Sequence, residues 1–198
     1  MLLLLSDVAR VSSGLTVRER LDASTEGVLA IQMGDLAEGN ELEVRYMARV
    51  QTPHPRYLVS RGDVLLRSRG NATIAWAVPG NLPEPAVAIQ PLFIIRPSAP
   101  VYDPDFLAWW LNQSDAQMHL RRAAQGQSIQ MVSKATLETV PLQLPPLAQQ
   151  RLIADAAHLA AREAELMHRL AERQHTLRKA QLTAAALTGQ THMKADCK

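Results

Sequence analysis

Six arginines, Arg45, Arg49, Arg56, Arg61, Arg67 and Arg69, lie between positions 45 and 69 and are opposed there only by Asp63, a local charge of +5. A guanidinium presents a planar fork of donors that suits phosphate oxygens or the edge of a guanine. Arg67 and Arg69 flank Ser68, so on an extended chain both point to one face, and Asn71 nearby has the paired donor and acceptor that suit adenine. Gln125, Gln127, Ser128 and Gln130 form a second polar stretch of the same kind, with Lys134 following as a candidate for a phosphate. Arg45, Arg49 and Arg61 complete the candidate set. The competing reading is a solvated, arginine-rich sheet face in which Gly70 and Gly126 serve turns and Arg69 pairs with Asp63. Overall charge leans toward the second reading. Residues 1–145 carry 13 Lys and Arg against 14 Asp and Glu, short of the usual basic excess of a nucleic-acid binder, and residues 146–198 carry 8 against 5.

Other chemistry is missing. There is no Gly-rich phosphate loop, no G-x-S-x-G elbow and no Cys/His metal spacing. The histidines (His54, His119, His158, His168, His175 and His192) are scattered, so neither a bound metal nor catalysis is expected. Asp103 and Asp105 read as helix-capping residues rather than paired catalytic carboxylates, and Trp109-Trp110 reads as core packing. The single Cys197 allows no internal disulfide, which points to the cytoplasm. Leu2 to Leu5 is too short for a signal sequence, and nothing reaches the roughly 18 apolar residues of a membrane span.

The elements that would position these residues are legible from pattern. The run Leu42 to Val50 alternates apolar and polar residues as a half-buried strand does. Val28 to Met33, Val64 to Arg67, Thr73 to Val78 and Val87 to Ile95 are further strands, separated by turn residues at Gly34-Asp35, Arg61-Gly62-Asp63, Gly70-Asn71 and Pro79-Gly80-Asn81. Strands without intervening helices predict a curled antiparallel or mixed sheet. Asp103 and Pro104 then open a helix that Gly126 would stop, and a short helix is expected from Ser133 to about Val140, closed by Pro141.

After Pro145-Pro146 the composition shifts to Ala, Leu, Gln, Arg and Glu, with no further proline. Leu152, Leu159, Leu166, Arg173, Ala180 and Leu187 recur every seven residues, and Ala156, Glu163, Leu170, Leu177 and Ala184 follow four residues after the first five of them. This is a heptad seam with two polar interruptions, Glu163 and Arg173, of the sort that fix register. A helix over Leu147 to Leu187 would be roughly 60 Å long. Its stripe calls for a partner, unless the helix folds back on its own domain. The fold class is therefore α+β: a sheet domain over residues 1–145, a long coiled-coil helix over 146–188 and a flexible tail over 189–198.

Four segments resemble, in order, the target-recognition region of type I restriction–modification specificity subunits. They are Leu5-Ser6-Asp7-Val8-Ala9-Arg10-Val11-Ser12-Ser13-Gly14-Leu15-Thr16; Ile31-Gln32-Met33-Gly34-Asp35-Leu36; Arg61-Gly62-Asp63-Val64-Leu65-Leu66-Arg67-Ser68-Arg69-Gly70; and the stretch from Gly126 through Val140-Pro141-Leu142-Gln143-Leu144-Pro145-Pro146 to Ile153. The resemblance covers about residues 5 to 188. It implies a non-catalytic, DNA-binding subunit of a phage-defence system that directs a partner methyltransferase, with or without a nuclease subunit, to a split target in double-stranded DNA. S-adenosylmethionine would sit on the methyltransferase, and no cofactor is implied for this chain. Full-length members carry two recognition domains and two long helices packed antiparallel. With one of each, this chain looks like a half-length form.

An unpaired stripe then predicts a homodimer, with Leu152, Leu159, Leu166, Leu170 and Leu177 at its seam. Two identical domains at opposite ends of a rod would read a pseudo-palindromic split site. Two alternatives stay open: a coiled-coil scaffold whose domain no longer reads DNA, and a free-standing DNA-binding regulator.

Overall fold

The structure, a computed structural model, describes residues 2–18, 21, 26–36, 48–51, 53–70, 73–80, 82, 84–98, 102–123 and 131–195, with side chains of the last helix as far as residue 186. Among the described residues the order is β1 (Leu2–Leu4), α1 (Leu5–Val8), β2 (Ala9–Ser13), β3 (Val28–Ile31), β4 (Arg49–Val50), β5 (Leu58–Val59), β6 (Val64–Arg67), β7 (Ala75–Ala77), β8 (Ala86–Ala88) and β9 (Leu92–Pro97). Then come α2 (Pro104–Asn112), α3 (Ser114–Ala123), α4 (Lys134–Glu138), β10 (Pro141–Gln143) and α5 (Leu147–Ala195).

The strands β2-β9-β6-β7 form an antiparallel sheet, and β4-β3-β8-β5 form a mixed one in which β3 and β8 run parallel. The opening leucines pair as β1 with β10 in an antiparallel ribbon. The expected α+β class, with antiparallel and mixed sheets followed by a long helix, is what the chain adopts.

Strands β6 and β9 are apolar at every central position because both of their faces are covered. Val64, Leu66, Phe93 and Ile95 point into the core shared with α2, where Leu107 and Leu111 pack. Leu65, Leu92 and Ile94 point the other way, onto Leu29, Ile31, Ala86 and Ala88 of the mixed sheet. Period-2 alternation therefore sorts one strand between two cores, and each fully buried leucine or isoleucine is worth roughly 2 kcal/mol of transfer free energy. Gly14 sits where β2 ends against the β8–β9 turn: its N–H donates to the Leu92 carbonyl at 2.8 Å, and a Cβ there would lie 2.6 Å from the Ala88 oxygen.

Several expectations need correcting. The single strand expected over Val87 to Ile95 is two strands in different sheets, divided where the Leu92 N–H turns back to the Ile89 carbonyl and where Pro91 has no N–H to offer a ladder. The helix from Asp103 is capped as expected, the Asp103 carboxylate accepting from the Asp105 and Phe106 amides. It breaks, however, at Gln113, whose backbone is extended. There the Asn112 amide makes a hydrogen bond to each of the Ala75 backbone groups, both at 2.9 Å, supplying edge strand β7 with the partner it lacks. Trp109 and Trp110 are half-buried, and Trp110 packs against the core as expected. Of the strand expected over Leu42 to Val50, residues 42–47 lie outside the described residues, as does Gly126.

The short helix begins at Ser133, whose hydroxyl accepts from the Thr136 amide, and stops before Pro141 as expected. The last helix starts after the double proline and continues to Ala195, through residues 189–195 where a tail was expected.

The chain divides into two units, Met1–Ala157 and His158–Lys198. The first unit takes in the opening turns of α5 for a stated reason. Gln150 is buried, accepts from the Asp103 amide and donates to the Pro145 carbonyl, both at 2.8 Å, while Ala154 is buried beside it. In the second unit the described side chains through residue 186 are exposed, Glu165 alone being intermediate.

Candidate nucleic-acid interface

The motif aspartates turn out to be builders of turns. Asp7, Asp35 and Asp63 each accept a hydrogen bond from the backbone N–H three residues earlier, on Leu4, Gln32 and Ser60, at 2.8, 2.7 and 3.0 Å. Short acceptor side chains close turns in this way. Asp63 does more. It is buried to 1% exposure, and Arg96 grips it as a fork, Nε to Oδ1 at 2.9 Å and Nη2 to Oδ2 at 2.7 Å, while the same Nη2 reaches the Leu58 carbonyl at 2.8 Å. This hydrogen bonding raises the Arg96 pKa. The partner of Asp63 is thus Arg96 and not Arg69, and Arg96 was missed because its partner lies 33 residues away.

Arg67 ends β6, and Arg69 forms an isolated antiparallel bridge to Met131. Between them Ser68 is buried, its hydroxyl donating to the Pro91 carbonyl at 2.6 Å and its carbonyl accepting from the Val132 amide at 2.8 Å. That alternation turns both arginines away from the buried serine. Arg69 is exposed, and the Arg67 guanidinium lies along Gly70, whose φ of +114° lets the chain turn sharply after the pair. Lys134 follows three residues beyond Met131 and forms a long ion pair with Glu138 at 3.5 Å, both side chains largely solvated. The structure therefore sets Arg69, two residues after Arg67, beside Met131. Arg45, Asn71, Gln125, Gln127 and Ser128 lie outside the described residues.

Two other candidates sit elsewhere. Arg61 is at the opposite end of β6 from Arg67, in the turn that precedes the strand. There it packs on Gly80 and lines a cleft of about 660 Å³ with Tyr102, Asp103 and Arg151. Arg49, on edge strand β4, is tied up: it grips Glu84 with Nη1–Oε2 at 2.7 Å and Nη2–Oε1 at 3.0 Å, and its Nη1 also reaches the Gly27 carbonyl. These bonds raise the Arg49 pKa and hold the Glu84 carboxyl below its ordinary value. A second cleft, about 570 Å³, is lined by Leu2, Phe106, Trp109, Trp110 and Ile153. Among the described residues no cluster of His, Cys, Asp and Glu is arranged to hold a metal, and no helix is long and apolar enough to cross a membrane.

The five seam leucines of α5 form an apolar row on its surface. Leu152, Leu159, Leu166, Leu170 and Leu177 are 49–73% exposed.

In fold, the chain is similar to part of solved type I restriction–modification S subunits. The HsdS subunit from Thermoanaerobacter tengcongensis matches with a TM-score of 0.54 at 18% identity over 83% of this chain and 37% of that one. The type I restriction–modification S subunit from M. genitalium matches at 0.54 and 13% identity, over 79% and 37%. A chain from a structure of complex assembly and conformational transition in a type I R-M system matches at 0.58 and 19%, over 90% and 43%. The chain thus spans well under half the length of the structures it resembles. No protein-family model matches the sequence, and no curated protein matches it significantly.

Proposed function

We propose that this chain acts as a DNA-specificity subunit of a type I restriction–modification system. One recognition domain would read one half of a split target, and a second copy, joined through α5, would read the other. The observation that carries the reading is the fold itself: a domain similar to those of solved S subunits, continued by a helix with an exposed leucine row. Within the domain, Arg69, with Arg67 beside it, is the strongest candidate for DNA contact, since Arg49 is engaged by Glu84. The guanidinium forks would bind phosphates or guanine edges, and Lys134 a phosphate. The chain itself performs no catalysis. The methyltransferase partner would bring S-adenosylmethionine, and a nuclease subunit would join where restriction accompanies modification. The assembly would work in the cytoplasm as phage defence.

A second reading, a scaffold whose domain no longer reads DNA, is favoured by one observation: residues 1–145 carry no basic excess. The test is a methylome. The chain is expressed with the methyltransferase encoded beside it in a host without DNA methylation, and modified adenines are mapped by single-molecule sequencing. A split palindromic motif is expected. A split asymmetric motif would mean that a different specificity subunit completes the pair. No methylation, with the methyltransferase folded and bound, would favour the scaffold, and failure of the two proteins to associate would favour a free-standing regulator.

A further inference from the structure

We infer that Arg10 and Arg96 together form a site for one phosphate of the DNA backbone, at the end of β6 opposite Arg67. This inference rests on the DNA-binding reading above and adds to it a contact that carries no base information. Strand register puts the two arginines together. Arg10 on β2 lies directly opposite Arg96 on β9. The pairing of Val64 with Ile95, carried one step further, sets Asp63 on the other side of Arg96. Side chains directly opposite each other in an antiparallel pair share a face, with Cβ atoms about 5 Å apart. Two guanidiniums and one carboxylate therefore stand in one row across three strands.

That row carries a surplus positive charge. Asp63 is buried, and Arg96 takes both of its oxygens, through Nε at 2.9 Å and Nη2 at 2.7 Å, while the Ser60 amide adds a bond at 3.0 Å. The Leu58 carbonyl holds the same Nη2, so the Arg96 guanidinium is fixed in place, yet its side chain is 43% exposed. Its Nη1 makes no hydrogen bond among the described residues. Arg10 is exposed and likewise has no hydrogen bond or ion pair among them. Asp7, three residues earlier, has its carboxylate on the Leu4 amide. Like charges directly opposite each other destabilise a sheet, and an oxyanion with an oxygen for each guanidinium reverses that sign. Phosphate is such an anion, and a duplex presents it at regular spacing. Because β2 is an edge strand, no further strand of its sheet lies beyond Arg10. The fixed Arg96 has little freedom left to lose on binding. The near-neutral charge of residues 1–145 is no obstacle, since a phosphate responds to charges within a Debye length, about 8 Å at physiological salt.

Arg10 is the residue to substitute, because removing Arg96 would leave the buried Asp63 charge unpaired and disturb the fold. The full-length chain is titrated onto two fluorescein-labelled duplexes of about 30 base pairs and unrelated sequence, and anisotropy is read between about 50 and 200 mM salt. Arg10→Gln should raise Kd about fivefold at the lower salt, by the same factor on both duplexes, and reduce the slope of log K against log salt by about one. Arg10→Lys keeps the charge and should keep the slope, which also shows that the strand tolerates substitution. Unchanged affinity and slope in Arg10→Gln overturn the site and leave the DNA reading standing. A factor that differs between the duplexes makes Arg10 a reader of bases and overturns the phosphate assignment, as does an Arg10→Lys chain that falls as far as Arg10→Gln. A Tm that rises with inorganic phosphate only when Arg10 is present, with DNA affinity indifferent to Arg10, assigns the site to a free anion and overturns the backbone contact. An unsubstituted chain that binds neither duplex overturns the DNA reading, and the site with it.

Discussion

Strands β6 and β9 and helix α5 are all rich in closely spaced leucine or isoleucine, yet the strands bury theirs on two faces while α5 leaves Leu152, Leu159, Leu166, Leu170 and Leu177 exposed. The residue type is similar and the outcome opposite. In the strands, the alternating pattern meets a helix layer on one side and a second sheet on the other, so the domain closes on itself. The helix carries an apolar stripe whose described side chains are exposed, and an exposed stripe of that kind is the usual mark of a surface that associates. One region stabilises the domain, and the other leaves large apolar side chains exposed, as the proposed assembly would require.

Truncating a core leucine should give the largest effect. Leu65→Ala, at the interface of the two sheets, should cost about 3 kcal/mol in denaturant unfolding, whereas Leu159→Ala on the exposed stripe should leave the unfolding of the domain within about 0.5 kcal/mol. Equal costs at the two sites would erase the contrast. Placing Leu166→Glu and Leu170→Glu together at the centre of the stripe should give a monomer by light scattering with an intact domain; a surviving dimer would remove the seam. At the proposed DNA-contact surface, Arg67→Ala with Arg69→Ala should weaken DNA binding and reduce the slope of log K against log salt by about two. An unchanged slope would move the contact surface elsewhere.

The smallest effect expected is on pH. Arg49 holds the Glu84 carboxyl below its ordinary 4.5, mainly by hydrogen bonding. A carboxyl whose pKa is lowered on folding adds stability that is complete above the unfolded value and is lost as the pH falls through the folded one. Glu84→Gln should therefore lower Tm slightly near neutrality, and the two proteins should converge in acid. A gap that persists below the folded value would mean that the clamp does not act through charge.

What was legible in the sequence was legible because it is local. The Asp103 cap, the Ser133 cap, the strand Val64 to Arg67 and the start of the last helix after Pro145-Pro146 each depend on neighbours a few residues away. The resemblance motifs could be read as motifs, but their physical role could not: Asp63 looked like part of a hairpin beside a row of arginines, and its burial beneath Arg96 depends on how β6 and β9 pair. In the same way the arginine cluster, continuous in sequence, is dispersed in space. Arg49 goes to Glu84 at a sheet edge, Arg61 to a cleft at one end of β6, and Arg67 and Arg69 to the other end, where Met131 returns.

The sequence by itself determined the heptad stripe and its two charged interruptions, because helical periodicity is written in consecutive residues and needs no tertiary contact to appear. It also determined that a sheet domain precedes the helix. Only the tertiary structure decided that residues 87–95 split between two sheets, that Gln150 fastens the start of the helix to its domain, and that Arg49 and Arg96 each grip a carboxylate. An ion pair or buried amide is chosen by whatever the fold brings within hydrogen-bond distance, and for Arg49, Arg96 and Gln150 those partners stand 35, 33 and 47 residues away.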